Sequence, residues 1–584
     1  MSQLTVDQAF ARAMQFHGQG RAHDAETLYR QIIAAQPSHA DAHHLLGLLA
    51  YQTGNADAGI QLIRRAIELQ PGVAAYHSNL GNMLCQAGRA KEAIVECRRA
   101  VALDPNLAAA YNNLGIALAQ QRETDEAIDS YERALAIHPD YPEALNNLGN
   151  AQRSVCLLNE AVANFRRAMA LSPDDSPSHH DYLFTLHYLP DYEAPAILAE
   201  LQRWADRYAP EIPTPVHRND PDPNRRLRVA YLCANFGDHV HALFHAPLLS
   251  SHDRRQVEVF GYSNVEAPDA VTARLRGMCD HWRDIFGLPD EEVARLLQAD
   301  AIDILVDEVM HMVENRLLLY ARKPVPVQMT WLAYPGTTGL PAMQYRITDP
   351  FLDPPGTEAG KYSEESIRLP DTFLCYGPPT DEPVRDSPVM RNGFITFGGQ
   401  NNFSKVNDGV LGLWTRLLAR VTNSRLLMTA PAGRARQRVL AKFASGGIAA
   451  ERIEFVPFQS RAEYLATYHR IDIALDTFPY NGYTTSLDAF WMGVPVLTRV
   501  GHTVVGRATW SALNNLRLPE LAATDDDGFV ERAAHLAGDL PRLINLRMTM
   551  RDRMRNSPLT DAPPFARNFE AVYRELWQRW CARQ

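Results

Sequence analysis

"PYNGYTTSLDAFWMGVPVLT" (residues 479–498) opens on turn residues and closes as a buried strand. Asn481-Gly482 is a turn dipeptide. Thr485, followed three residues later by Asp488, has the spacing of a capping box and predicts an ordinary helix start. Upstream, "IDIALD" (471–476) reads as a short buried strand, and "VPVLT" (494–498) as another. Strand, turn, about two helical turns and strand make a βαβ unit whose first loop lies at the carboxyl edge of a parallel sheet, where ligands bind. A helix start also offers unpaired N–H groups and a positive dipole end, so the same turn suits an anion. Locally, both readings stand.

Working outward, the alternation of short β-rich runs with helical patterns extends from residue 225 onward. "RLRVAYLC", "VEVFGYS", "IDILVDE", "VPVQMTWL" and "YRITD" form one series. A proline-rich break at 376–390 precedes a second, "FITFGG", "SRLLMTA", "RIEFVP", "IDIALD" and "VPVLT". The expectation is two Rossmann-like lobes of the GT-B type, at 225–390 and 391–560, with a site in the cleft between them. The amphipathic end (561–584) is expected to be a helix packing back on the lobes. Neither GxGxxG nor a Walker loop is present, which argues against an NAD dehydrogenase or a P-loop NTPase. Tandem lobes without those loops suit a nucleotide-sugar glycosyltransferase, with the donor on the second lobe and the acceptor entering from the first. No DxD pair stands at a strand end in the form of a metal site, so the expected chemistry is metal-independent and no metal site or cofactor is assigned.

The first third repeats itself. Pro37, Pro71, Pro105, Pro139 and Pro173 are each 34 residues apart, as are Gly47, Gly81, Gly115 and Gly149. The period and the helix-pair pattern resemble tetratricopeptide repeats, giving an α-solenoid over 1–174. The glycines, with Ala93, Ala127 and Ala161, allow two helices to approach closely, and each proline ends the second helix. Such an array binds protein or extended peptide. Asn112, Asn113, Asn146 and Asn147 are either amide clamps for a peptide backbone or solvated helix positions. Linking helices and a proline-rich linker, "APEIPTPVHRNDPDPNRR", fill 175–224.

Net charge is −10, which disfavours a general nucleic-acid surface. No run is long enough to span a bilayer, and "MSQLTVDQAF" has no basic start or apolar core, so the expected location is cytoplasmic. Seven scattered cysteines without a CxxC indicate neither a disulfide framework nor a zinc site.

Several stretches together resemble the O-GlcNAc transferase family, glycosyltransferase family 41: "NFGDH" (235–239), "PVQMTWLAYPGTTG" (326–339), "NNFSK" (401–405), "DTFPYNGYTTSLDAFWMGVPVLT" (476–498), Gly501 and Arg507. The resemblance implies an inverting transferase that moves a sugar, GlcNAc from UDP-GlcNAc first among the candidates, onto Ser or Thr of a protein held by the repeats. It implies Lys405 at the donor diphosphate, Thr484 and Thr485 on phosphate oxygens, and Asp488 on the ribose hydroxyls. Asn402, Arg461, Tyr464 and Tyr483 complete the implied nucleotide-sugar set. His239 matches the family histidine near acceptor and donor; whether it, a donor phosphate or a water relay takes the proton stays open. His311 and the turn of Tyr334, Pro335, Gly336, Thr337 and Thr338 are implied on the acceptor side. Asn235, Met310, Gln400 and the surroundings of Arg507 depart from the family pattern. Two rivals remain: the same fold with another donor such as GDP-fucose, and a repeat scaffold with a degenerate cleft.

Overall fold

The computed structural model describes residues 5–174, 176–209, 212–213 and 215–584; Asp175 and linker positions 210, 211 and 214 lie outside the described residues, as do the first four. The chain divides into two compact units, residues 1–173 and 174–584.

Helices in the first unit run in pairs from Val6–Gly18 to Leu158–Leu171. The second helix of each pair stops one residue short of its C-cap (Gln36, Gln70, Asp104, His138 and Ser172), and the repeat proline follows directly. The period-34 glycines sit at the tightest approach within a pair. A Cβ on Gly115 would stand 2.5 Å from the Tyr131 ring, and one on Gly149 would stand 2.6 Å from Phe165. Successive repeats are tied by hydrogen bonds 35 positions apart. The Asn113 amide donates to the carbonyl and hydroxyl of Ser78, both at 3.1 Å, and Asn147 donates to Asn112 Oδ1 at 3.0 Å. Asn79 with His44, and Gln120 with the Cys85 carbonyl, continue the pattern. Asn112 and Asn113 are buried. Three of the four asparagines expected to be clamps or solvated positions are therefore rungs between repeats: their amides fill a backbone-close seam that a bulkier or apolar side chain would leave unsatisfied.

The second unit begins with a helical hairpin, Ser176–Leu186 and Ala194–Tyr208. Two parallel sheets follow. The first contains β1 (Leu227–Cys233), β2 (Val257–Ser263), β3 (His281–Asp284), β4 (Ile304–Asp307), β5 (Val327–Thr330), β6 (Tyr345–Thr348) and β7 (Glu365–Arg368), in the order β3-β2-β1-β4-β5-β6-β7. The second contains β8 (Ile395–Gly399), β9 (Ser424–Thr429), β10 (Ile453–Val456), β11 (Ile473–Leu475), β12 (Val496–Arg499) and β13 (Ala522–Ala523), in the order β10-β9-β8-β11-β12-β13. β4 and β11 are buried at every position, as helix-covered parallel strands must be. In each sheet the order reverses beside the first strand, between β1 and β4 and between β8 and β11. Loops at the carboxyl ends of those strands flank the crevice where such folds bind ligands.

The two sheets are joined by polar contacts. The Arg507 guanidinium donates to the carbonyls of Phe351 and Leu352, and the Ser511 hydroxyl to Asp349 at 2.6 Å. The final helix, Ala562–Cys581, lies against the first sheet: the hydroxyls of Tyr573 and Tyr231 are 2.8 Å apart and Phe569 packs on Trp331. No helix among the described residues is long and apolar enough to cross a membrane.

Candidate active site

The loop after β11 is set by Asp476. This buried carboxylate accepts the Gly482 N–H at 2.7 Å, the Thr477 N–H at 2.8 Å and the Thr498 hydroxyl at 2.7 Å. Asn407 donates to the Phe478 carbonyl and Asn481 to that of Thr477, both at 2.8 Å or less. The chain then enters the helix Tyr483–Trp491 with Gly482 as N-cap and no side-chain cap. The expected capping box is thus corrected: Thr485 lies inside the first turn and Asp488 in the middle of the helix. Among the described residues, the backbone N–H groups of Tyr483, Thr484 and Thr485 have no acceptor, so the helix tip keeps its donors and dipole for an anion. Glycine is required at the cap because a Cβ there would meet Asn401 Oδ1 at 1.7 Å and Thr485 Oγ1 at 2.3 Å. Thr484 and Thr485 remain partly exposed, and the Thr485 hydroxyl lies within reach of Asn401 Oδ1 and the Gly482 carbonyl.

Lys405 comes from the loop after β8, on the other side of the switch point. Its ammonium donates to the Asn481 carbonyl at 2.7 Å and lies 3.9 Å from the centre of the Tyr480 ring. Desolvation draws its pKa down to about 8, opposed by the nearby Asp476 charge. Sheet order brings this cation to the helix tip from a sequence separation of about 75 residues. Neighbouring Asn402 is exposed and caps a short turn by accepting the Ser404 N–H at 3.1 Å.

Behind the tip, Asp488 is completely buried and both oxygens are engaged. Arg461 binds them at 2.8 and 2.6 Å, and the Tyr376 hydroxyl donates at 2.6 Å. In this geometry Asp488 holds Arg461, whose guanidinium remains partly exposed above Tyr464, and is not a free acceptor at the surface. Tyr464 leads to Tyr468 (2.7 Å between hydroxyls), which donates to the Thr485 carbonyl at 2.9 Å. Tyr483 packs its ring 5.3 Å from Phe373.

In the first lobe, His239 follows β1 and is half-buried; its Nδ1 accepts the His241 N–H at 3.3 Å. That bond places the proton, when the ring is neutral, on Nε2. Burial, with His245 nearby, lowers its pKa, which keeps the ring neutral. His311, after β4, has a different role from the one expected. Its Nε2 lies 2.7 Å from the Thr338 carbonyl and must donate, so Nδ1 accepts from His180 Nδ1–H at 2.8 Å, and His180 Nε2 accepts from Ser176 at 3.0 Å. With both nitrogens committed and the ring buried, His311 fastens the helix Ser176–Leu186 to the first lobe. The turn from Tyr334 to Thr338 is likewise built in. Thr337 and Thr338 bond their hydroxyls to Glu364, Gly336 gives its carbonyl to Arg346, and Tyr334 is buried against His187 and Phe184. Only Pro335 is partly exposed. The hydroxyls of the turn are therefore engaged within the first lobe.

Three contributors escaped the sequence reading. Asp476 stood in the sequence as the last residue of a strand and the first of the family stretch, without a role. Tyr480 carries Lys405 on one face and is stacked by Tyr188 of the hairpin at 5.2 Å on its ring. Asn401 links β8 to β11 by donating to the Leu475 carbonyl at 3.2 Å. A tyrosine beside a tight turn reads as filler when its stacking partner is almost 300 positions away.

Two doubly wound parallel sheets, each gathering polar loops at its switch point within one compact unit, define the architecture of two-lobed glycosyltransferases. The chain belongs to glycosyl transferase family 41, which it matches over residues 211–377 and 384–569. Residues 10–74, 72–140 and 107–174 match tetratricopeptide repeats. The solved structure of a lysine-to-methionine mutant of the O-GlcNAc transferase of Thermobaculum terrenum superposes with a TM-score of 0.81 at 35% identity, covering 87% of this chain and 98% of that one. The probable UDP-N-acetylglucosamine–peptide N-acetylglucosaminyltransferase SPINDLY of Petunia hybrida is 40% identical over 372 residues, and that of Arabidopsis thaliana 39% over 369. Each alignment covers 62% of this chain, which spans 40% of the length of either plant protein.

Proposed function

We propose that this protein is an inverting, metal-independent O-glycosyltransferase that moves a sugar from a nucleotide sugar, UDP-GlcNAc in the first place, to a Ser or Thr of a protein engaged by the repeats. One observation carries the proposal: a lysine cation and an uncapped helix tip converge from the two loops of the second lobe's switch point. Together they match a pyrophosphate. The N–H groups of Tyr483, Thr484 and Thr485 and the Thr484 hydroxyl take its oxygens, and Lys405 neutralises the charge that grows as the C1–O bond to the nucleotide breaks. The acceptor hydroxyl attacks C1 from the opposite face, so configuration inverts, and its proton passes to a base. His239 can accept it only at Nε2, which requires the ring tautomer to change or a water or donor phosphate to take the proton first. Arg461, held by Asp488 and partly exposed, is assigned to the nucleotide-sugar set. The names of the relatives support peptide as acceptor and UDP-GlcNAc as donor.

The test is incubation of the full chain with a cell lysate and labelled UDP-GlcNAc, GDP-fucose and CMP-linked sugars. Labelled protein with UDP-GlcNAc, abolished in Lys405→Ala, is expected. Labelling with a different donor changes the substrate and keeps the chemistry; full labelling by Lys405→Ala removes the assigned role of that lysine.

A further inference from the structure

The core of the first lobe holds a second cluster, which no step above uses. Cys233 ends β1, His245 lies in the helix Ala242–Ser251, and Glu308 follows β4. All three are completely buried, and one ligand atom from each lies within 4.8 Å of the other two. His245 Nε2 and Glu308 Oε2 are 2.9 Å apart, the distance of a buried ion pair, although their geometry is not that of an aligned hydrogen bond. His245 Nδ1 has no hydrogen-bond partner, and the Cys233 thiol lies within hydrogen-bonding reach of the Glu308 carboxyl. An imidazole and a carboxylate that bind each other direct the N–H along the line between them. Buried polar atoms left without partners in this way are compatible with ligation of an ion by the cluster.

The sulfur adds to this. Cys233 Sγ accepts the backbone N–H of Asn235 at 3.2 Å, a bond of the kind that steadies a metal-bound thiolate. The Tyr320 hydroxyl is a further buried polar group without a partner.

We propose that Cys233, His245 and Glu308 bind one divalent ion of the zinc class in the core of the first lobe. Thiolate, imidazole and carboxylate together suit zinc and not the hard cations magnesium and calcium. Tetrahedral zinc spaces such ligand atoms about 3.3–3.7 Å apart, so the His–Glu pair opens by about half an ångström. Three protein ligands leave one position for water. The ion joins the ends of β1 and β4 to the intervening helix, and the segment it pins, 233–245, carries His239. Its role is to hold that segment in place, separate from the donor chemistry.

The experiment is metal analysis of the intact full-length protein grown with zinc, followed by replacement with Co²⁺. About one zinc per chain is expected. The cobalt form should show a thiolate-to-cobalt charge-transfer band and the intense visible bands of a tetrahedral site. Cys233→Ser should lose the charge-transfer band, and Glu308→Gln should cut metal content at least several-fold. Wild-type protein that holds less than about a tenth of an equivalent and gives no cobalt band, even after refolding with metal, overturns the proposal; so does undiminished metal content in Cys233→Ser. The wild-type spectrum decides the matter even where a variant misfolds, and none of these readouts depends on transferase activity.

Discussion

Lys405 carries the most consequential charge in the second lobe, and its environment makes it sensitive to pH. Desolvation lowers its pKa to about 8, so it is cationic below that pH and loses its proton above it. Its role needs the cation. We therefore expect kcat/KM, which reports the free enzyme, to fall as pH rises through about 8, and Lys405→Arg, if it retains activity, to lack that limb. A flat profile up to pH 9.5 in the wild type contradicts the assignment. The sequence made this lysine legible because its motif is local, and so too Thr484 and Thr485. It did not show that Asp488 is consumed by Arg461 and Tyr376, or that His311 is tied to His180 across 131 positions. Those partners are set by tertiary contacts to which spacing along the chain is blind.

At the level of elements, the helix Tyr483–Trp491 depends on its cap being glycine. Gly482→Ala forces a Cβ into Asn401 and Thr485, so the loop after β8 and the helix tip must separate. Overpacking of this kind costs about 1–3 kcal/mol in stability. Because it displaces the donors from Lys405, it should also lower activity by up to about 100-fold. A thermal melt together with kinetics checks both; wild-type kinetics in this variant would show that the tip is not the phosphate seat. In the repeats, Asn113→Ala removes two bonds to Ser78 and leaves buried acceptors unpaired, so a loss of about 1–2 kcal/mol is expected in denaturant unfolding. A peptide-clamping role would instead leave stability unchanged. The principal strands were legible from their apolar runs. β3, β7 and β13 were not: "HWRD" and "ESIR" are polar edge strands and β13 has two residues, so none buries an apolar stretch long enough to read.

For the whole molecule, the repeat period and the βαβ alternation were sufficient to read an α-solenoid followed by two α/β lobes, because both are periodic signals of covalent spacing. What the sequence could not supply was the meeting of loops from β8 and β11, which is a property of strand order. That meeting is the central claim, and nucleotide binding tests it without assuming an acceptor. Calorimetric titration of the full chain with UDP and GDP should show one nucleotide bound, with affinity at least tenfold weaker in Lys405→Ala. Failure of both nucleotides to bind the wild type, or equal affinity in the variant, would contradict it.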